Sequence, residues 1–234
     1  MKTNQPTLRE VIHSLPSAKR QSDTLWARIL IRPLSYLVAW TALRLGMSAF
    51  QVSLMSILFP ILALWFWVTL QPLTAILLLN IWLLLDCTDG NLARVLGPKT
   101  HGEFVDAASG YVMLALVFLG VGLYLDLSAA GSLFTPPWFT FFGALTSLFS
   151  LTSRIFYQKF QNTRHQAGVS VDPPPKPGFV KMTDRNLGIG GFLTPSLLLV
   201  YFFNGLEWWL LFYCMYNGVV FLYTGSRLLR KARD

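Results

Sequence analysis

Six stretches of this chain, residues 50–70, 73–93, 104–126, 136–158, 188–204 and 206–228, are long and almost wholly apolar. A bilayer core needs about 20 mainly apolar residues per helix. Six such segments predict an all-α polytopic membrane protein with six transmembrane helices. Composition closes the other routes. Only 13% of the residues are charged, 53% belong to the hydrophobic set and the mean hydropathy is +0.49. An average soluble protein carries roughly 25% charged residues, so there are too few charges here to coat a soluble domain. A disordered chain, a coiled coil and a disulfide-stapled scaffold are excluded as well. The two cysteines, Cys87 and Cys214, lie inside apolar runs and read as packing residues. Residues 1–23 hold no apolar run of the kind a cleaved signal peptide requires.

Ahead of the first span, residues 24–45 are amphipathic. Arg28, Arg32 and Arg44 interrupt an apolar surface and Pro33 is expected to break it, which predicts an interfacial helix rather than a seventh span. Residues 8–15 show helical apolar spacing, and Thr7 with Glu10 has the form of a capping box. The domain reading is therefore 1–49 cytosolic and interfacial helices, 50–228 the six-helix membrane domain and 229–234 a basic cytosolic tail. Six spans put the N-terminus, loop 94–103, loop 154–187 and the C-terminus on one side. All 19 Lys and Arg fall there, and the other side holds only Asp126 and Glu207. By the positive-inside rule both termini face the cytoplasm, in the expected setting of a bacterial inner membrane. The basic balance thus belongs to topology and anionic lipid, and no nucleic-acid partner is expected. Trp65, Trp67, Trp138, Trp208 and Trp209 cluster at the outer ends of spans and read as interfacial anchors. Loop 159–187, with Pro173–Pro175 and Pro177, reads as a linker or as a lid over a cytosolic site. Pro195 is expected to kink span five.

The chemistry concentrates at the cytosolic end of span two. Asp86, Asp89, Gly90 and Ala93 share one helical face, two carboxylates with small residues beside them. An intramembrane carboxylate costs roughly 2.5–3.5 kcal/mol on insertion scales, so a functional site is the default reading. Span three opens with Gly102, Asp106 and Gly110 four residues apart. An antiparallel pair joined by a short loop brings these ends together. Three carboxylates at one point repel unless a cation neutralises them. Oxygen ligands without His or Cys favour Mg²⁺, Mn²⁺ or Ca²⁺ over Zn²⁺. Such a cluster suits phosphoryl transfer from a phosphate-bearing substrate.

Asp86-x-x-Asp89-Gly90-x-x-Ala93-Arg94 followed by Gly102-x-x-x-Asp106 resembles the signature of the CDP-alcohol phosphotransferases, D-x-x-D-G-x-x-A-R-x8-G-x-x-x-D-x-x-x-D. The resemblance extends to the layout of an interfacial helix followed by six spans. It implies transfer of a phosphatidyl or phosphoalcohol group from a CDP-linked lipid or alcohol donor to an alcohol acceptor, with release of CMP. It implies Mg²⁺ or Mn²⁺ held by Asp86, Asp89 and Asp106. It places Gly90, Ala93, Arg94 and Gly102 on the CDP donor, and it implies a homodimer.

The chain departs from that pattern in three places. Seven residues rather than eight separate Arg94 from Gly102. Residues 48–53 replace a Pro-Asn pair common upstream of the first span. Above all, Gly110 stands where the signature has its fourth aspartate, the proposed general base and helper of a second metal. Glu103 and His101 are the candidate substitutes, and an acceptor that is already ionised would need no base. Arg154 and Lys159 are candidate phosphate contacts, and the glycines of 184–191 are candidates for helix packing or an anion site. Two further readings stand beside the enzyme. One is a non-catalytic homologue that binds CDP-lipid or metal as a scaffold. The other, a metal transporter, is disfavoured because the acids lie at one end of the spans.

Overall fold

The N-terminal helix forms where its cap predicts. Thr7 accepts from the Glu10 backbone N–H at 3.3 Å, and the Glu10 carboxylate accepts from the Thr7 N–H at 2.6 Å. This capping box opens α1, Leu8–His13. Those bonds from Thr7 hold the Glu10 carboxyl below its usual range. The protein is described by a computed structural model covering residues 6–17, 23–24, 26–97, 102–129, 133–168, 187–188 and 191–233. Among these residues there is no strand.

Pro33 does not break the second element. A π-turn, Ala27–Ile31, runs straight into α2, Arg32–Arg44. A proline lacks an N–H and its ring collides with the carbonyl four residues back. The wider π-turn just before it relieves that collision and keeps the backbone helical. Arg32 is anchored by Asp23, whose carboxylate accepts from Nε at 2.8 Å and from Nη2 at 3.0 Å. Burial by itself would lower the Arg32 pKa, but the bonds and charge of Asp23 outweigh it and the net direction is upward. A cavity of about 220 Å³ opens here, between Ile12, Leu15, Arg28 and Tyr36. At the far end of α2, Gly46 takes φ +69°, and Met47 N–H reaches back to the Ala42 carbonyl at 2.9 Å. That left-handed stop reverses the chain.

Among the described residues four helices are long and apolar enough to cross a membrane: α3, Ala49–Val68; α4, Pro72–Leu96; α5, of which Phe104–Leu127 is the apolar part; and α6, Trp138–Gln166. Helix α5 itself is Gly102–Leu127. The α3 helix has a second capping box, between Ser48 and Gln51. The last two apolar stretches differ from the first four. Helix α7, Leu193–Phe202, has ten residues, or about 15 Å at 1.5 Å per residue. Pro195 sits in its first turn, where a missing N–H costs nothing, so it does not act as a mid-helix kink. Helix α8, Leu206–Arg233, is long enough at 28 residues, but Trp208, Trp209, Tyr213, Tyr216 and Asn217 dilute its apolar character.

Helix α3 packs against both α4 and α5, whereas α4 and α5 touch each other only sparingly. Helix α5 packs closely on α6, and α6 on α8. The main core runs through Trp67, Leu79, Trp82, Met113 and Phe118. A smaller cluster, which includes Val11, Ala39, Val52 and Leu92, fixes α1 and α2 to the starts of α3 and the end of α4. On the opposite side α3 exposes Leu54, Leu58, Ile61 and Trp65 as a lipid-type stripe. The described part of the predicted loop 159–187 is different from a loop at its start. Helix α6 continues to Gln166, because no Gly or Pro intervenes before Gly168 and backbone bonding does not stop where side chains turn polar. The lid proposed for the rest of that loop lies outside the described residues, as do most of residues 184–191.

The tryptophans divide. Trp65, Trp138 and Trp208 are exposed, as interfacial anchors require, but Trp67 and Trp209 are core residues. Trp209 Nε1 donates to Ser196 at 2.8 Å, and Trp67 fills the space above Gly120, where any Cβ would meet its ring at 2.4 Å. The α5–α6 hairpin is closer still. A Cβ on Gly122 would lie 2.3 Å from the Phe139 carbonyl oxygen, and one on Gly143 would lie 2.4 Å from that of Phe118. These are backbone atoms with nowhere to move. Gly143→Ala is therefore expected to destabilise the protein by roughly 1–3 kcal/mol, read as a lower unfolding temperature in detergent. Asp126, one of the two acids at that end, accepts from the Phe139 and Thr140 N–H groups at 3.3 and 2.8 Å and so caps α6.

Candidate active site

The last two turns of α4 carry Asp86, Asp89, Gly90, Ala93 and Arg94. Asp89 is 5% exposed and Asp86 half-buried. Burial of Asp89 is made tolerable by Ser53 on α3, whose hydroxyl donates to Asp89 Oδ2 at 2.5 Å. A hydroxyl bonded to a carboxylate is a short, charge-assisted contact. Among the described residues no cation stands within ion-pair distance of Asp89. Arg94 turns elsewhere: its Nη2 donates to Asn91 Oδ1 at 2.5 Å, and Asn91 in turn donates to Ser35 on α2 at 2.9 Å. The guanidinium lies over Gly90, whose Cβ position is 3.5 Å from Nη1, so the glycine makes room for it. The buried Nε of Arg94 has no protein partner among the described residues.

Helix α5 begins at Gly102. Asp106 is exposed and lies within electrostatic reach of Asp89. Below it, Trp82 Nε1 donates to Ser109 at 2.8 Å, and Ser109 bonds Ser56 on α3 at 2.7 Å. Helices α3 and α5 run parallel, so the Ser56–Ser109 bond fixes their register and brings Asp106 level with Ser53. Gly110 is buried, yet a Cβ built there meets nothing within 4 Å. The position of the missing aspartate is thus an open space beside the acids.

The other sequence candidates are placed less tightly. His101 lies outside the described residues, as does the side chain of Glu103. Arg154 and Lys159 are exposed on α6 and have no side-chain partner among the described residues. The α5–α6 register, set by Gly122 against Phe139 and Ser147 bonding Ala115, brings Arg154 level with Ala107 and Ala108. At the same end Tyr111 bonds Gln158. Ser53, Ser56, Ser109 and Asn91 did not stand out in the sequence. The available signal was a pair of serines three apart on an apolar span.

A divalent cation fits this donor set in kind. All three acids offer hard oxygens, and among the described residues the buried Asp89 has a hydroxyl rather than a cation as its direct partner. Among the described residues no three His, Cys, Asp or Glu side chains are grouped closely enough to hold a metal ion alone. An ion that keeps waters and substrate phosphates in its shell needs only a few carboxylates.

Fold and site together define a helical membrane protein that carries Asp86, Asp89 and Asp106 toward one end of its bundle. Residues 47–220 match the protein-family model described as CDP-alcohol phosphatidyltransferase. The chain belongs to that family, whose members are transferases of lipid synthesis that use a CDP-alcohol donor. No curated protein matches it.

Proposed function

We propose that the protein is an active transferase that needs Mg²⁺ or Mn²⁺ and moves a phosphatidyl or phosphoalcohol group from a CDP-linked donor to an alcohol acceptor. The acceptor oxygen attacks the phosphorus that carries the alcohol moiety. The bond from that phosphorus to the bridging oxygen of the pyrophosphate breaks, and CMP leaves with that oxygen. When bound, the metal supplies positive charge at the pyrophosphate. Asp86, Asp89 and Asp106 would hold it, Gly90 makes room for the Arg94 guanidinium beside the nucleotide, and Ala93 keeps the α4 surface small there. Arg94, fixed by Asn91, presents its charge to the donor. Arg154, with Lys159 five residues further on, is the phosphate contact from α6. The acceptor proton leaves to Glu103 or His101, or is absent from the start in an ionised acceptor.

The observation that carries this reading is Asp89, a buried carboxylate held by a serine instead of a cation. Six spans are the topology that suits it, since an even number keeps all 19 Lys and Arg on one side and both termini in the cytoplasm. A homodimer in a bacterial inner membrane is the matching assembly and setting. One finding favours a second reading. Gly110 has lost the acid that would act as base, so a non-catalytic homologue that binds CDP-lipid is the alternative. The deciding experiment is nucleotide exchange: purified protein, Mn²⁺ or Mg²⁺, CDP-diacylglycerol and labelled CMP. Metal-dependent incorporation of label supports the enzyme. Absence of exchange with CDP-diacylglycerol binding intact supports the scaffold.

A further inference from the structure

We infer that α3, which contributes no acid, is the element that assembles the acidic centre, through Ser53 and Ser56 acting as positioning residues. The inference rests on the metal-binding reading of Asp89 and Asp106 given above. Helices α4 and α5 make few direct contacts, so their acids are not brought together by packing on each other. Each is tied instead to α3.

Counting hydroxyl protons gives the direction of each bond, because a serine has one proton to donate. Ser56 donates to the Ser53 carbonyl at 2.7 Å. Its oxygen is then the acceptor for Ser109, whose own oxygen accepts from Trp82 Nε1 at 2.8 Å. The chain runs Trp82 to Ser109 to Ser56 to the Ser53 backbone, and it joins α4, α5 and α3 without a leftover proton. Ser53 has two acceptors within reach, the Ala49 carbonyl at 3.1 Å and Asp89 at 2.5 Å. The charged, closer carboxylate takes the proton. Ser53, Ser56, Ser109 and Trp82 are all at most 2% exposed, so water does not substitute for any of them.

Two consequences follow from the spacing. Ser53 ties Oδ2 of Asp89 to α3. Ser56 and Ser109, each three residues beyond Ser53 and Asp106, lock the parallel helices so that Asp106 stands at the height of Asp89. Loss of either serine would leave the acids present and their alignment free.

Direct Mn²⁺ binding separates this from a general packing role. Purified Ser53→Ala, Ser53→Thr, Ser56→Ala and Asp89→Asn proteins would be titrated with Mn²⁺ and free ion followed by electron paramagnetic resonance. Helicity and monodispersity would be checked in the same samples. Losing an outer partner of a metal ligand typically costs 10–100-fold in affinity. Ser53→Ala is expected to weaken Mn²⁺ binding by about that factor, Ser53→Thr to restore it to within a few-fold, and Ser56→Ala to weaken it in the same direction. Unchanged affinity in both alanine variants, with binding lost in Asp89→Asn, overturns the inference and leaves the metal reading standing. Unchanged affinity in Asp89→Asn overturns the metal reading itself. Should Ser53→Ala fail to fold, full Mn²⁺ affinity in Ser56→Ala would still sink the inference.

Discussion

Asp89→Asn is expected to lower CMP exchange by at least about 10²–10³-fold, the scale on which one preorganised electrostatic group acts. Asparagine keeps the size and lets the amide oxygen accept the Ser53 proton, so the α3–α4 contact survives. What disappears is the negative charge at the buried carboxylate of α4. The result sought is near-complete loss of exchange in a protein whose thermal stability in detergent is unchanged or raised. A rise is reasonable because burying a charge costs free energy that an amide does not. Exchange at the wild-type rate would mean that Asp89 is a structural acid and that the centre lies elsewhere.

Gly110→Asp has the opposite sign. General-base catalysis contributes about 10²–10⁴-fold, and restoring a carboxylate one turn below Asp106 should recover a sizeable part of it for an alcohol acceptor. The structure permits the change: nothing stands within 4 Å of the new Cβ, and Gly110 is inside a helix where a side chain meets no backbone strain. The measurement is the transfer rate to a panel of acceptors, with product lipids identified by mass. Faster transfer supports a site that is merely short of a base. A collapse of activity in a folded protein would show that the space is used by an acceptor that an extra negative charge repels, such as a phosphate. Gain and collapse therefore distinguish two classes of acceptor.

Much of the fold was legible because membrane spans are written in composition. The starts of α3 to α6 fall within two residues of the sequence boundaries, and the Thr7–Glu10 box forms as read. The misjudged features depend on partners distant in sequence. Trp67 and Trp209 sit at helix ends, where interfacial anchoring and core packing look alike. Gly120 and Ser196 decide for the core, and neither is local. Pro33 looked like a break because the π-turn that absorbs it has no side-chain signature. At the site, spacing was enough to put Asp86, Asp89, Gly90 and Ala93 on one face, since helical periodicity is a property of the chain itself. The Ser53 contact, 36 residues away from Asp89, is a property of the packed bundle and not of any spacing.

The glycine contacts between α5 and α6 have a mechanical meaning. With carbonyl oxygens of Phe118 and Phe139 seated where side chains would otherwise be, the hairpin has no slack for one helix to slide along or roll on the other. It moves as a single lever. Opposite it, α4 and α5 scarcely touch: the Trp82–Ser109 bond joins them directly, and the serines of α3 join them indirectly. Any widening of the bundle for a bulky substrate is thus concentrated on the seam between α4 and α5, and a crosslink across that seam would jam the molecule where one across α5 and α6 would go unnoticed.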